Sequence, residues 1–481
     1  MRNQLRIPIY EALKGHINKN PISFHVPGHK YGGMSSYEKD EFFRGILKID
    51  ATELTGLDDL HSPEGAIREA EELLSEFYQT IKSFFLVNGS TVGNLAMIMA
   101  ACPEDSTVLV QRNCHKSVLN GLKIAKVRPV FLEPEVNQEW KAAAGVNIET
   151  VQQALKRYPH AKAIILTYPN YYGMVYELKE IIDLVHHYQI PVLVDEAHGP
   201  HFVIGEPFPA SALQLGADLV VHSAHKTLPA MTMGSFLHVN SNLINIEKVM
   251  EYLGIFQSSS PSYPIMASLD ISRHYLASYN NSDLHFLLSE INSFKEELAG
   301  IETIKVLTFP ENLGDCLKMT VQTRCGLSGF ELQKRLESYG VYTELADPYN
   351  VLFIFPLLKK GQAYPWFETV DKINRAIDGL AFEDIKEVLQ SGDQRISELA
   401  VSYREMEALS VKQVPLAHAL GLICAEAIIP YPPGIPLLMK GERITNNKLF
   451  QLKSLLDTGG RFQGEGHLLK AGYIRTFCTT T

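Results

Sequence analysis

The chain has 481 residues, of which 46% are hydrophobic and 20% are charged, and its formal net charge at pH 7 is −10. This length exceeds what one hydrophobic core supports, so we expect a soluble globular protein of two to four domains. The acidic balance, with no basic run to reverse it, argues against a nucleic-acid-binding protein.

The cysteines and the apolar segments exclude several further classes. The six cysteines lie far apart and form no Cys-x-x-Cys pair, so neither a zinc site nor a disulfide framework is predicted. The N-terminus has no apolar core of signal-peptide length, and no window approaches 18 unbroken apolar residues. We therefore expect a cytoplasmic protein without a bound metal and without membrane contact.

Residues 1–60 are predicted to form an N-terminal arm rather than a domain. A short helix fits residues 9–14. The segment 24–30, Phe-His-Val-Pro-Gly-His-Lys, is a loop with turns set by proline and glycine. Its His25 and His29 belong either to a solvated turn, which we favour, or to a site that the arm reaches.

Residues 61–284 are predicted to form a large α/β domain. Ser62 as N-cap and Pro63 as first helical residue indicate a helix start. Seven apolar segments then read as strands, and most are separated by helical segments: 84–87, 107–110, 130–132, 163–167, 191–195, 217–221 and 235–239. Such alternation predicts a mostly parallel seven-stranded sheet covered on both faces.

The C-terminal part reads differently. Helical signals surround two predicted strands, 316–321 and 351–355, which suggests a smaller α+β domain over residues 285–380. A charged, helical passage at 382–407 opens a further domain over residues 381–481. That domain contains the segment 430–436, which is too rich in proline for a helix or a central strand.

Three polar features follow strands of the large domain, and the first suits an anion. Asn88-Gly89-Ser90-Thr91 joins a strand to a helix N-terminus. Glycine allows close backbone approach, and the free amides, the helix dipole and the Ser90 and Thr91 hydroxyls favour a phosphate. The motif is neither a Walker loop nor Gly-x-Gly-x-x-Gly. Taken alone, a plain glycine turn with a serine cap is the simpler interpretation.

The second feature is Asp195, which ends an apolar strand in Asp195-Glu196-Ala197-His198-Gly199. A carboxylate there must be solvated, paired or ligated, because burying an unpaired charge is costly. A protonated pyridine nitrogen is one such partner. A helix cap, or a metal shared with His198, are alternatives, although no third ligand at suitable spacing is evident.

The third feature is Lys226 in Ser223-Ala224-His225-Lys226, which follows a buried strand. Taken alone, a surface lysine explains it equally well. Together, however, an anion cradle, a carboxylate and a lysine on successive strand ends are what pyridoxal phosphate requires.

These motifs carry a resemblance that covers nearly the whole chain. With the arm motif, Arg112-Asn113-Cys114-His115 and the stretch 425–436, the sequence resembles the bacterial ornithine/lysine/arginine decarboxylase family. That family belongs to the aspartate-aminotransferase-like, fold type I, pyridoxal phosphate enzymes. The resemblance is to the short form that lacks the N-terminal wing domain of larger members.

The resemblance implies roles for individual residues. Lys226 holds the cofactor aldehyde as an imine, Asp195 pairs with the pyridine nitrogen, and His198 lies near the substrate; these are the expected catalytic residues. The cofactor-binding set is Lys226, Asp195, His115, Gly89, Ser90, Thr91, Ala197, Ser223, His225 and Ser259. The segment around Ser259 is expected to reach the phosphate of a partner subunit, which implies a homodimer or higher even oligomer with shared sites.

The expected reaction is decarboxylation of lysine, arginine or ornithine to CO2 and the corresponding amine. Glu426 is the first candidate for gripping the cationic side chain, with Asp58 or Asp59 behind it; a surface charge or a helix cap is the plain alternative for each. Lys226 or His198 is expected to reprotonate Cα. The alternatives are another fold type I reaction, such as transamination or lyase chemistry, and a protein that binds the cofactor without turnover.

Overall fold

A computed structural model describes residues 2–34, 41–309, 313–384, 395–430, 436–457, 459, 462 and 466–478. Residues 431–435 of the predicted proline-rich segment lie outside this set.

Helices and strands alternate over most of the chain. The helices are α1 (Pro8–Ile17), α2 (Glu41–Ile49), α3 (Ala66–Tyr78), α4 (Gly89–Ala101), α5 (Lys116–Ile124), α6 (Ile148–Arg157), α7 (Leu178–His186), α8 (Ala212–Leu215), α9 (Ala224–Thr227), α10 (Ile246–Phe256), α11 (Tyr263–Ala277), α12 (Asn281–Ala299), α13 (Gly329–Ser338), α14 (Trp366–Ile377), α15 (Tyr403–Ala408), α16 (Asn446–Asp457) and α17 (Gly466–Lys470). The strands are β1 (Lys82–Leu86), β2 (Thr107–Gln111), β3 (Arg128–Leu132), β4 (Val136–Asn137), β5 (Ala142–Ala143), β6 (Ile164–Thr167), β7 (Val192–Asp195), β8 (Leu219–His222), β9 (Ser235–Val239), β10 (Ile304–Val306), β11 (Lys318–Thr323), β12 (Leu345–Ala346), β13 (Asn350–Ile354), β14 (Ile396–Glu398), β15 (Val411–Pro415) and β16 (Tyr473–Phe477).

The chain divides into two compact units, and unit 1 comprises Met1–Ala101 and Pro191–Asn280. Its strands lie in the order β1-β9-β8-β7. β7 and β8 are parallel, whereas β9 is antiparallel to both β8 and β1, so three of the four strands share one direction. α4 packs on one face, where Gly93 meets Val221, and Tyr78 of α3 packs on the other, against His222.

The start of α3 differs from the sequence prediction. The helix begins at Ala66 after an N-cap glycine without a side-chain cap, not at Ser62-Pro63. The Asp58 carboxylate instead accepts the amides of Glu64, Gly65, Ile67 and Arg68 over 2.8–3.2 Å. The prediction was wrong because the cap that satisfies the free amides of this helix comes from an upstream loop.

The N-terminal segment is bound to α11 of the same unit. The buried Arg273 guanidinium donates to the backbone carbonyl of Gln4 at 2.8 Å and to that of Arg6. Asp270, which is paired with Arg273, accepts the amide of Ile9 at 3.0 Å, at the start of α1. In the arm loop, His29 contacts Asp50 at 3.0 Å, and Tyr31 contacts His25 at 3.1 Å.

Unit 2 comprises Cys102–Ile190 and Asn281–Thr481. Its larger set of strands has the order β6-β2-β3-β14, in which β2 is parallel to β6 and β3 while β14 is antiparallel to β3. An antiparallel sheet, β10-β11-β13-β12, packs with α12, α13 and α14, and β15 pairs with β16. This gives the smaller α+β part that the sequence predicts.

Two expectations need correction. The two four-stranded sets contain eight strands rather than seven, and the additional strand is β14. β14 also shows that the described part of the passage 382–407 is not one helix: α15 begins only at Tyr403, and residues 385–394 are not described. A strand of three residues is too short to show a detectable period in the sequence. It forms because β3 supplies its hydrogen bonds. Among the described residues, no helix combines the length and the apolar character needed to cross a membrane.

Candidate active site

The predicted anion cradle lies at the start of α4 in unit 1. Gly89 has a φ of +78°, and its amide donates to the carbonyl of Met233 at 2.9 Å. The Ser223 hydroxyl donates to Ser90 Oγ at 2.6 Å, so the loop before α9 meets the first turn of α4. Ser90 and Thr91 follow Gly89 in that turn, where amides and the helix dipole favour an anion.

Asp195 ends β7, and its carboxylate is 3% exposed. One oxygen accepts Nδ2 of Asn94 at 2.9 Å, and the other accepts the amide of Ala197 at 3.2 Å. Both donors are electrically neutral, so neither supplies a positive charge. A cationic N–H would complete this environment, because a buried carboxylate is stabilised by pairing.

Lys226 lies on the one-turn helix α9, and its Nζ donates to Nε2 of His198 at 3.0 Å. His198 is 5% exposed. The Lys226 side chain is half-buried, and its amine contacts the buried imidazole. The contact joins the loop after β7 to the loop after β8.

One backbone hydrogen bond joins the same two loops, and two further contacts fix the segment around Lys226. The amide of Ser223 donates to the carbonyl of Ala197 at 3.1 Å, and the amide of Lys226 donates to the carbonyl of Ser223 at 3.1 Å. His225 Nδ1 donates to the carbonyl of Gly234 at 3.0 Å, which fixes its ring. These contacts fix the backbone from which the polar side chains project, so the side chains keep a defined position.

Unit 1 therefore carries most of the predicted site. Its members are Gly89, Ser90, Thr91, Asp195, Ala197, His198, Ser223, His225 and Lys226. Ser259 also belongs to unit 1, where its side chain is exposed. The carbonyl of the preceding Ser258 is held by Nε2 of His61 at 2.9 Å.

The other two predicted residues belong to unit 2. His115 is the N-cap of α5, where Nδ1 accepts the Ser117 amide at 3.2 Å and lies 2.7 Å from the Ser117 hydroxyl. Glu426 is half-buried, and its Oε1 accepts the amide of Arg475 at 3.1 Å. Their roles toward cofactor and substrate remain predictions.

Sequence reasoning missed Asn94, the donor on Asp195. It lies four residues after Ser90 in α4, hence on the same helix face. A buried asparagine in an otherwise apolar helix was the available signal. Asp58 was considered for substrate recognition, yet its oxygens accept the amides around the start of α3.

A second missed pair lies in unit 2. Arg112, three residues before His115 in the same predicted motif, makes a bidentate contact with Glu442 at 2.7 and 2.6 Å. Both side chains are buried, at 5% and 4% exposure. The contact gives the Glu442 carboxylate a buried partner of opposite charge. Sequence alone offered no signal, because 330 residues separate the two side chains.

The donor set of unit 1 fits pyridoxal phosphate. The first turn of α4, with adjacent hydroxyls, is suited to a phosphate; the neutral surroundings of Asp195 suit a protonated ring nitrogen; and Lys226 supplies an amine for an aldehyde. Among the described residues there is no group of three or more His, Cys, Asp or Glu side chains that could hold a metal ion.

Comparison with known proteins agrees with this reading of the fold. Residues 7–321 match the family model "Orn/Lys/Arg decarboxylase, major domain", and residues 383–464 match the model of its C-terminal domain. The chain is 45% identical over 465 residues to "Uncharacterized protein YaaO" of Bacillus subtilis, covering 96% of both chains. It is 33% identical over 477 residues to an arginine decarboxylase of Bacillus subtilis, again covering 96% of both chains.

Solved structures support the fold. The constitutive lysine decarboxylase of E. coli superposes with a TM-score of 0.78 at 20% identity, covering 98% of this chain and 82% of that chain. The serine palmitoyltransferase of Sphingomonas wittichii gives a TM-score of 0.52 at 18% identity over 64% of this chain and 75% of that chain. The predicted aspartate-aminotransferase-like α/β fold class is confirmed, and this chain belongs to the Orn/Lys/Arg decarboxylase family.

Proposed function

We propose that this protein removes the α-carboxylate of a basic amino acid, with pyridoxal phosphate as cofactor, and releases CO2 and an amine. The observation that carries the proposal is the contact between Lys226 and His198, which lies on the same two loops as Asp195 and Ser223. The family supports decarboxylase chemistry, and relatives named arginine and lysine decarboxylases support a basic substrate.

In the proposed binding mode, each donor holds one part of the cofactor. Lys226 holds the aldehyde carbon, and Asp195 pairs with the ring nitrogen while Asn94 keeps the carboxylate oriented. Gly89, Ser90, Thr91, Ser223 and His225 hold the phosphate at the start of α4, and Ala197 packs under the ring. When bound, the cofactor supplies an electron sink for the bonding pair that CO2 leaves behind.

The residues of this chain then deliver one proton to the substrate. After CO2 leaves, Cα of the substrate must gain a proton, and a positioned acid accelerates that transfer. Nζ of Lys226 and Nε2 of His198 are 3.0 Å apart, so a proton can move between these two atoms. The burial of His198 limits the access of water to that pair. We assign the acid to this pair.

Substrate choice and assembly complete the proposal. Lysine, arginine and ornithine each carry a cation that requires an acidic partner, and Glu426 remains the candidate for that grip.

Ser259, exposed in its own unit, is proposed to reach the phosphate of a second copy, which makes the active form a homodimer with shared sites.

The test begins with purified protein loaded with pyridoxal phosphate and supplied with lysine, arginine or ornithine. We expect CO2 release together with cadaverine, agmatine or putrescine from one of them. Lys226→Ala should lose both turnover and the visible absorbance of lysine-bound cofactor, whereas Lys248→Ala, at an exposed lysine of α10, should change neither. Formation of a keto acid without CO2 would instead show a transaminase, and an unchanged spectrum in Lys226→Ala would refute the role of the lysine.

A further inference from the structure

A buried polar chain crosses the strands of unit 1 on the face that α3 covers. Its members are Glu196, directly after β7, His222 at the end of β8, His238 in β9 and Ser83 in β1. Each lies on the strand next to the previous one, following the order β7-β8-β9-β1. All four have 0% exposure, although the proposed reaction uses none of them.

Consecutive members of the buried polar chain are joined by hydrogen bonds. His222 Nε2 lies 2.7 Å from Oε2 of Glu196, and His238 Nε2 lies 3.1 Å from Nδ1 of His222. His238 Nδ1 lies 2.7 Å from the Ser83 hydroxyl. Glu196 also accepts the hydroxyl of Ser211 at 2.7 Å and the amide of Ala212 at 2.8 Å.

When both rings are neutral, these contacts determine which nitrogen of each ring carries the proton. An ionised carboxylate only accepts, so Nε2 of His222 must donate to Glu196 and its Nδ1 is left as an acceptor when the ring is neutral. His238 then donates through Nε2 to His222, and its Nδ1 accepts the proton of Ser83. Each neutral ring then carries its proton on Nε2. Burial holds the pKa of His238 well below its usual value, which favours the neutral form of that ring.

The first hydrogen bond of the buried polar chain joins the two loops of the candidate site. Glu196 stands between Asp195 and Ala197, and His222 directly precedes Ser223. The Glu196 carboxylate is therefore tied to the start of the loop that carries Lys226.

Gly199 shows how closely Glu196 is enclosed. A Cβ at Gly199 would lie 2.7 Å from Cγ of Glu196, so only glycine leaves room for the anchored side chain. Its amide also donates to the carbonyl of Glu196 at 2.9 Å, which closes the turn above it. The motif Asp195-Glu196-Ala197-His198-Gly199 thus combines three residues of the candidate site with two residues, Glu196 and Gly199, that hold them in place.

We infer that Glu196 and His222 are positioning residues for Asp195, His198 and Lys226, and that His238 and Ser83 set the tautomer that His222 needs for this task. The inference deepens the proposed function and rests on it. A purely structural role would lower stability when the hydrogen bonds are removed but would leave the loaded site unchanged. A positioning role also changes the site itself, because small displacements of reacting groups are costly in rate.

Two amide substitutions at His222 separate these possibilities. His222→Gln can place an amide N–H where Nε2 donates to Glu196, so it keeps the bridge between the loops. His222→Asn is shorter; its amide reaches the position of Nδ1 and loses the bridge. We expect His222→Asn to lower kcat by about 10- to 100-fold, to weaken pyridoxal phosphate binding and to shift the visible absorbance of the bound cofactor. His222→Gln should recover most of each property.

The controls separate the two proposals. Melting temperatures of both variants without cofactor measure the structural contribution, and equal losses combined with unchanged kcat, cofactor affinity and absorbance would overturn the inference. If the wild-type protein binds pyridoxal phosphate but releases no CO2, the proposed function fails, while cofactor affinity and absorbance still test the positioning.

A measurement on the wild-type protein covers the case in which His222→Asn does not fold. Spectra of the protein labelled with 15N-histidine should show two buried, neutral imidazoles protonated on Nε2, and Ser83→Ala should perturb the signal of His238. A charged His222, or one protonated on Nδ1, would contradict the proposed direction of the hydrogen bonds and overturn the inference.

Discussion

The pKa values of two carboxyl groups of unit 1 shift in opposite directions, because the two groups differ both in burial and in amide donors. Burial raises the pKa of Asp58, but the amides of Glu64, Gly65, Arg68 and Asp59 outweigh it, so the pKa is lowered. Glu71, on α3, accepts one amide, that of Phe85 at 3.1 Å. Burial therefore dominates there and raises the pKa of Glu71 to about 8. Amide donors and burial thus act on the pKa of a buried acid in opposite directions.

Glu71 predicts a pH dependence of stability. Its pKa rises from 4.5 in the unfolded chain to about 8 in the fold, so between these values the folded protein holds a proton that the unfolded chain has lost. Its contribution to the unfolding free energy should thus fall as pH rises, by at most about 1.4 kcal/mol per pH unit. Glu71→Gln, which can still accept the Phe85 amide, should flatten this slope in denaturant titrations from pH 5 to pH 8. The exposed Glu247→Gln should not, and an unchanged slope in Glu71→Gln would show that Glu71 is ionised in the fold.

At the scale of elements, α4 links the core to the candidate site. Its first turn forms the predicted cradle, Asn94 holds Asp195, and Gly93 between them lets the helix approach β8 closely. A Cβ at Gly93 would lie 2.4 Å from Cγ2 of Val221 and 2.9 Å from Cδ1 of Leu86. Such distances are far inside van der Waals contact, so the helix cannot accept a larger residue without moving.

We expect Gly93→Ala to lower the unfolding free energy by about 1–3 kcal/mol, because overpacking outweighs the gain in helix propensity. It should also weaken pyridoxal phosphate binding, since α4 carries the cradle. Denaturant unfolding and cofactor titration measure the two effects. The matched control is Gly15→Ala in α1, where a Cβ meets no atom within 4 Å; it should stabilise by about 0.5–1 kcal/mol. A Gly93→Ala variant as stable as the wild type would show that α4 can shift away from β8.

At the scale of the molecule, long-range polar pairs join distant parts of the chain. In unit 2, Arg112 after β2 holds Glu442 across 330 residues of sequence, and Lys448 contacts the same carboxylate. Burial favours the neutral form of Glu442, but Arg112 and Lys448 outweigh it and lower the pKa of Glu442. In unit 1, the Arg273 guanidinium holds the N-terminal segment by donating to the backbone carbonyl of Gln4.

The proposed homodimer can be tested by mixing two defective subunits. Ser259→Asp should weaken phosphate binding by charge repulsion, and Lys226→Ala removes the lysine. If Ser259 serves the partner's site, a heterodimer of the two variants contains one site with both defects and one with neither, so activity should return on mixing. If Ser259 serves its own subunit, both sites stay defective and no activity returns. The heterodimer is isolated with two different affinity tags, and wild-type subunits re-mixed in the same way are the control.

The sequence by itself determined the order of helices and strands in the α/β part and singled out the candidate residues of the site. Hydrophobic patterning is a local property, so the strand β9 was predicted with its observed bounds, 235–239. Asp195 and Lys226 stood out because an ionisable group at the end of an apolar strand requires a partner.

Only the tertiary structure decided which partners the polar residues have. The Asp58 carboxylate accepts a backbone amide at the start of α3. Glu196 is hydrogen-bonded to His222, 26 residues later, and Arg112 pairs with Glu442. The eighth strand, β14, exists because β3 supplies its hydrogen bonds. The physical reason is the same in each case: the free energy of a buried polar group depends on donors brought close by folding, and the local sequence does not contain them.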